Sequence, residues 1–325
     1  MIHTQDTQIK QLAIHSIGNK AKDEPLILSQ KTSDQLRDNI ELGNALKTYF
    51  LGAFKSDEYY NLYHDTDLSC NEIFNYVSKI FENKDLFHEY SINIAKHLYE
   101  SGTHPQIKAG ELYVTYISDC EYNGVKTNAI GIFKSENRDL YLDVSYQDSH
   151  FGIDTHKGIN INKLDKGCII LNVEPEHGYV LCIIDNTNRG VDARYWIDDF
   201  LHVHQCKDGY FNTQNVMAMC KNYVINQLPN EFDINKADQA EILNDTIKYF
   251  KEKDNFSLDE FSEVVISDPK VVESFNRFKQ DYEQERDIQI ENEFAISDSA
   301  VKKQTKAFKS VIKLDKNFHI YVHGN

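Results

Sequence analysis

The sequence predicts an α+β fold: a central antiparallel meander sheet with N-terminal helices and a C-terminal helical region ending in a short β-hairpin. Three observations carry that prediction. Residues 110–185 are a string of short runs rich in Val, Ile and Tyr, each closed by turn chemistry, at Asn123-Gly124, Glu136-Asn137-Arg138, Lys157-Gly158, Asp165-Lys166-Gly167 and Glu176-His177-Gly178. Apolar residues at helical spacing flank that string on both sides. The closing residues return to strand alternation around Asp315-Lys316-Asn317.

Taken in order, IKQLAIHSI reads as a strand with Leu12 and Ile14 on one face, and LILSQ after Pro25 as a second strand, the two pairing as a hairpin. Thr32, Ser33 and Asp34 supply N-cap candidates for a helix through Leu36, Ile40, Ala45, Leu46, Tyr49 and Phe50 that stops near Gly52. Helices follow over 69–81, on Ile73, Phe74, Val77 and Ile80, and over 86–99, on Phe87, Tyr90, Ile94 and Leu98. Within the sheet, Leu112, Val114, Tyr116 and Leu140, Leu142, Val144 alternate with polar partners, which predicts half-solvated strands. The runs 168–173 and 179–184 are almost wholly apolar and predict buried ones. Trp196, Phe200 and Leu201 suit a short helix. Residues 213–228 read as a helix closed by Pro229, followed by helices over 236–253, 257–266 with a capping-box pattern Ser257-x-x-Glu260, and 269–285. The expected division is residues 1–208, an α+β domain with an N-terminal hairpin, three helices and the antiparallel sheet, and residues 209–325, an acidic helical region with a basic tail.

At 325 residues and 41% apolar content the chain can bury a sizeable core. Its longest apolar runs fall short of the roughly 18 residues of a membrane helix, and its start lacks a signal-peptide pattern, so a cytoplasmic protein is expected. Six cysteines occur without a CxxC and several sit inside apolar runs, which predicts buried free thiols. A net charge of −16 argues against a protein that simply coats nucleic acid. The charge is uneven: residues 229–298 carry a net −11 and residues 299–325 a net +5, so the one basic stretch is the tail.

Sequences that mark hydrolases, phosphate loops, dinucleotide sites or zinc proteases are missing: there is no GxSxG, GxxxxGK[ST], GxGxxG or HExxH. His202, His204 and Cys206 share a face only if they lie on a strand, where they would have ligand spacing; ordinary packing or surface histidines are the plainer expectation. His319 and His323 form a weaker pair of the same kind. Lys134 and Asp143, with Glu136 and Asp119 near in sequence, are the only approach to a metal nuclease centre, and exposed strand charges explain them as well. Arg189 and Arg194 suit either a phosphate or internal pairing with Asp198 and Asp199, the latter favoured. No catalytic residue, metal or cofactor is assigned.

The nucleic-acid candidates are Lys302, Lys303, Lys306 and Lys309. Spacings of three and four put Lys302, Lys306 and Lys309 along one side of a helix, with Phe308 available for packing. A solvated basic face is the alternative.

As a set, IKQLAIHSI, HPQIKAGELYVTYI, GIFKSEN, DARYWIDDFL, QCKDGYFNTQNVMAMC and HIYVHGN resemble, in order and over nearly the whole chain, the bacterial 37-kDa nucleoid-associated protein family of NdpA or YejK-like proteins. The resemblance implies a cytoplasmic protein recovered with the nucleoid, binding nucleic acid, with no enzymatic reaction and no cofactor. It carries over no contact residues. The expected function is therefore non-specific, salt-sensitive contact with double-stranded DNA. The alternative is an acidic adaptor that docks on a DNA-processing enzyme. Oligomeric state is left open, a homo-oligomer included.

Overall fold

The computed structural model describes residues 2–3, 6–36, 39–55, 57–147, 149–187, 195–308, 311–315 and 318–321, with backbone alone at 2–3, 147, 311–315 and 318–321. The chain forms two compact units, Met1–Gln205 and Cys206–Asn325. The fold is α+β, with a large antiparallel sheet as expected.

The elements of the first unit are β1 (Ile2–His3), β2 (Gln8–Ile17), β3 (Leu26–Ile27), α1 (Ile40–Leu51), β4 (Tyr60–Leu62), α2 (Glu72–Glu82), α3 (Phe87–Ser101), β5 (Gly110–Tyr122), β6 (Val125–Ser135), β7 (Asp139–Gln147), β8 (His150–Gly158), β9 (Lys166–Leu171), β10 (Val180–Asp185) and β11 (Val203–Gln205). A π-type turn of helix, Tyr195–Leu201, precedes β11 and buries Trp196, Phe200 and Leu201, the short helix expected there. The main sheet runs β11-β4-β10-β9-β6-β5-β2-β3, with β1 paired to β5. β2 does meet β3, through Ser16↔Ile27 and Ile17↔Leu26, but its long partner is β5. Asn123 and Gly124 both take positive φ, 50° and 80°, and close the β5–β6 hairpin tightly enough that Tyr122 pairs with Val125.

Two expectations about this sheet are corrected. The run 110–185 is not one continuous meander: β6 pairs directly with β9, and β7–β8 leave the sheet as a separate two-stranded ribbon. The first strands are also not half solvated, because Leu112, Tyr113, Val114, Thr115, Tyr116 and Ile117 are all buried. Helices cover both faces. Leu112, Val114 and Tyr116 join Ile73, Val77, Ile80, Ile94 and Leu98 of α2 and α3 in one core. On the opposite face Phe50 of α1 stacks on Phe133 at 4.4 Å and packs against Tyr113 at 5.4 Å. A strand sandwiched in this way needs apolar residues at every position, whatever its alternation suggests.

Helix starts follow local capping. α1 begins six residues after Asp34, where the side chain of Asn39 accepts the Leu42 N–H, so the Thr32–Asp34 cap is not used. Its end at Gly52 is as expected. Asn71 caps α2 by accepting the Phe74 N–H. The cysteines are free, and Cys120, Cys168, Cys182 and Cys220 are buried, but Cys70 is exposed and Cys206 only half-buried.

The second unit contains α4 (Gly209–Asn222), α5 (Lys236–Glu252), β12 (Asn255–Ser257), α6 (Pro269–Arg286), β13 (Glu293–Ala295), α7 (Asp298–Phe308), β14 (Val311–Asp315) and β15 (Phe318–Tyr321). α4 does not stop at Pro229. It continues through a π-type turn, Tyr223–Gln227, into Leu228–Glu231, where Pro229 occupies the first turn and gives up no needed N–H. The capping box forms at Asn235 and Asp238, not at Ser257, whose side chain makes no capping bond; Glu260 instead accepts from Tyr249 and Lys253. Aromatic side chains fill the core between helices, with Phe256 stacked on Phe250 at 5.5 Å and on Phe294 at 4.8 Å. β14 and β15 pair as the expected terminal hairpin, while Lys316, Asn317 and Val322 lie outside the described residues. Among the described residues no helix is long and apolar enough to cross a membrane.

Candidate nucleic-acid interface

Lys302, Lys303 and Lys306 stand on α7, whose buried residues Ala300, Val301, Thr305 and Phe308 fix its orientation. At 100° per residue the three lysines fall within one arc opposite that buried stripe, and all three are exposed. Lys309 lies outside the described residues. Lys303 is anchored: its ammonium donates to the Tyr210 hydroxyl at 3.0 Å and sits 5.5 Å from the ring centroid. Among the described residues no carboxylate is within ion-pair distance of Lys302 or Lys306.

Several cations of the acidic helices are paired instead. Arg277 of α6 reaches Glu231 at 3.5 Å and Glu273 at 3.2 Å, Lys279 pairs with Glu283 at 2.9 Å, and Lys253 with Glu260 at 2.6 Å. Lys236, Lys248 and Lys270 have no ion pair among the described residues either, but they stand among the many acids of α5 and α6, whereas residues 299–308 carry three lysines and no carboxylate. The composition of 229–298 and 299–325 foreshadowed that contrast. It did not single out Lys221, which donates from the end of α4 to the Ala307 carbonyl and lies 6.0 Å from the Phe308 ring. Lys221 thereby satisfies a carbonyl at the C-terminus of α7, where a cation is favoured, and adds a positive charge beside Lys306.

The first unit holds a different arrangement of lysines. Lys134, Lys166 and Asp185 are successive cross-strand partners on β6, β9 and β10, so their side chains form a row on the face covered by α2 and α3. Lys134 is 1% and Lys166 0% exposed. The Lys134 ammonium donates to Glu136 at 2.9 Å, the Lys108 carbonyl at 2.7 Å and the Tyr195 hydroxyl at 3.1 Å, which uses its three protons. Lys166 donates to Asp185 at 2.8 Å and to Thr187, and both ammoniums lie 5.4 Å from the Tyr195 ring centroid. Burial lowers the Lys134 pKa, with Glu136 opposing the shift. Asp165, next in sequence, accepts the Glu136 and Asn137 N–H groups and the Asn137 side-chain amide. These cations are consumed inside the unit and cannot also grip a phosphate.

That arrangement dismantles the nuclease constellation. Lys134 and Glu136 do meet, but Asp143 is on the separate ribbon, 3.7 Å from His156, and Asp119 sits at positive φ in a bulge of β5, bonded to Ser118. His202 precedes the short strand β11 and His204 lies within it, and both pack on aromatic rings: His202 lies 5.9 Å from Tyr63 and 5.4 Å from His64, and His204 4.9 Å from Tyr63. Among the described residues no three His, Cys, Asp or Glu side chains converge to hold a metal ion. His319 has only its backbone described, and Arg189, Arg194 and His323 lie outside the described residues.

Comparison with known proteins adds one finding. A family model described as nucleoid-associated protein YejK matches residues 13–324. The chain belongs to that family. Neither the curated proteins nor the solved structures hold a match. Membership makes this a nucleoid-associated protein, and the nucleoid is the location the family implies. The match spans both compact units.

Proposed function

We propose that this nucleoid-associated protein contacts double-stranded DNA through the exposed face of α7, with Lys302, Lys303, Lys306 and Lys309 reaching phosphates. The observation that carries the reading is that Lys302, Lys303 and Lys306 share one exposed arc of a helix whose residues 299–308 hold no carboxylate, whereas the exposed Lys236, Lys248 and Lys270 stand among the acids of α5 and α6. Such a face reads backbone charge and carries no sequence preference. The acidic remainder opposes the polyanion, so contact is weak and confined to this surface. Replacing the four lysines by Gln weakens binding alike for unrelated duplexes. If the quadruple variant binds as the native chain does, the assignment to α7 is wrong.

A second reading rests on the same charge asymmetry. The exposed acids of α5 and α6, such as Glu241, Asp245, Glu273 and Asp281, can present carboxylates to a basic DNA-processing enzyme, making the protein an adaptor. Purified protein that fails to shift bare duplex at low salt while retaining such an enzyme on a column would favour the adaptor over direct contact.

A further inference from the structure

The β7–β8 ribbon turns an entire apolar face to solvent. Its cross-strand pairs Val144↔Ile153 and Tyr146↔Phe151, with Leu140 and Leu142 in line, put six large side chains on one side, each between 59% and 73% exposed. The opposite side is polar and holds the acids Asp139, Asp143 and Asp154. An isolated two-stranded hairpin is marginal in water, and patches on monomers rarely exceed a few hundred Å². With ordinary side-chain areas these exposures leave roughly 700 Å² uncovered per copy, close to the ~800 Å² that each partner of a stable interface contributes.

We propose that this face is covered by the same face of a second copy of the chain, the two ribbons stacking antiparallel about a two-fold axis. The face is self-complementary. At its base Leu140 pairs with Lys157, and near its tip Tyr146 pairs with Phe151, their rings 4.9 Å apart. Antiparallel stacking lays the Lys157 stem and ammonium of one copy over the Tyr146 and Phe151 rings of the other, and the two-fold repeats that contact. The axis passes between the Leu142↔Thr155 and Val144↔Ile153 rows, which meet each other at the ~10 Å spacing of packed sheets. Among the described residues Lys157 is the one charged residue on this side, so two copies of a chain of net charge −16 can approach here without opposing carboxylates from the paired strands. For the same reason the ribbon is a poor DNA arm, because its acids outnumber its lysine.

The test is the mass of the full chain by sedimentation or light scattering at tens of micromolar. The expected result is twice the 37.7 kDa of one chain. Leu142→Lys together with Val144→Lys, both at exposed positions, should give the single-chain mass with an unchanged far-ultraviolet spectrum, raising the dissociation constant by at least roughly a hundredfold. Lys157→Glu should raise it roughly tenfold. Asp143→Asn, on the other side of the ribbon, should leave it unchanged. A native chain that runs at 37.7 kDa overturns the proposal, even if the ribbon then captures DNA or another protein. A double variant that keeps the doubled mass overturns it equally.

Discussion

Lys134 and Lys166 are direct cross-strand neighbours on β6 and β9, both shut away from solvent, with the Tyr195 ring 5.4 Å from each ammonium. Two buried like charges side by side are tolerable only because Glu136 and Asp185 neutralise them. Removing one acid would leave an uncompensated charge, so Glu136→Ala should cost on the order of 3–5 kcal/mol. Lys134→Met combined with Glu136→Leu should recover most of that loss, since an apolar pair escapes the desolvation cost. Urea unfolding followed by the fluorescence of Trp196, the single tryptophan and itself buried in this unit, reads both outcomes.

His15 gives the first unit a pH dependence. The Ser29 N–H donates to its Nδ1 at 3.2 Å, so the neutral ring carries its proton on Nε2, which faces the Ser91 hydroxyl at 3.1 Å. Burial, helped by His88, lowers the His15 pKa to about 4. The unfolded chain takes up this proton near its ordinary value of about 6.5, before the folded chain does. Stability from this group is therefore complete above about pH 6.5 and is lost as pH falls toward 4, up to about 3 kcal/mol. His15→Gln should flatten the urea midpoint across that window; an unchanged slope would assign the dependence elsewhere.

Asn71 joins separate segments through one buried amide. Its oxygen accepts the Phe74 N–H at the start of α2, while its nitrogen donates to the carbonyls of Tyr63, Leu201 and His202. Asn71→Ala removes a cap and orphans carbonyls of β4's and β11's flanks together, an expected loss of about 2–4 kcal/mol. Asn71→Asp should keep the cap yet turn a buried carboxylate oxygen onto three carbonyl oxygens, so in thermal denaturation it should lose at least as much as Asn71→Ala.

Much of this architecture was legible in the residues. The Ile73–Val77–Ile80 stripe, the Asn123-Gly124 hairpin and the alternation around residues 311–321 each carry a local period or turn chemistry that tertiary context leaves intact. The β7–β8 ribbon was not, because Leu140, Leu142 and Val144 alternate identically whether their face meets a core or a second surface. Strands as short as Tyr60–Leu62 and Val203–Gln205 have too few residues to show a period, and the first of them needs Gly178, at φ 91°, to let the Leu62 backbone approach where a Cβ would stand 2.0 Å from its carbonyl oxygen. The α7 lysines could be named from charge and spacing. Which of them stay unpaired depends on Tyr210, Lys221 and the acids of other helices, and those contacts are set by packing over sequence separations of 86 and 93 residues.

The slope of log binding constant against log salt, measured for duplex DNA with the native chain and with Lys302, Lys303, Lys306 and Lys309 all replaced by Gln, bears most directly on contact through α7. Each phosphate-bound lysine contributes roughly 0.9 to that slope, so the variant should lose between about 2 and 4 units and bind more weakly at every salt concentration. Equal slopes for the two proteins would contradict direct contact by these lysines.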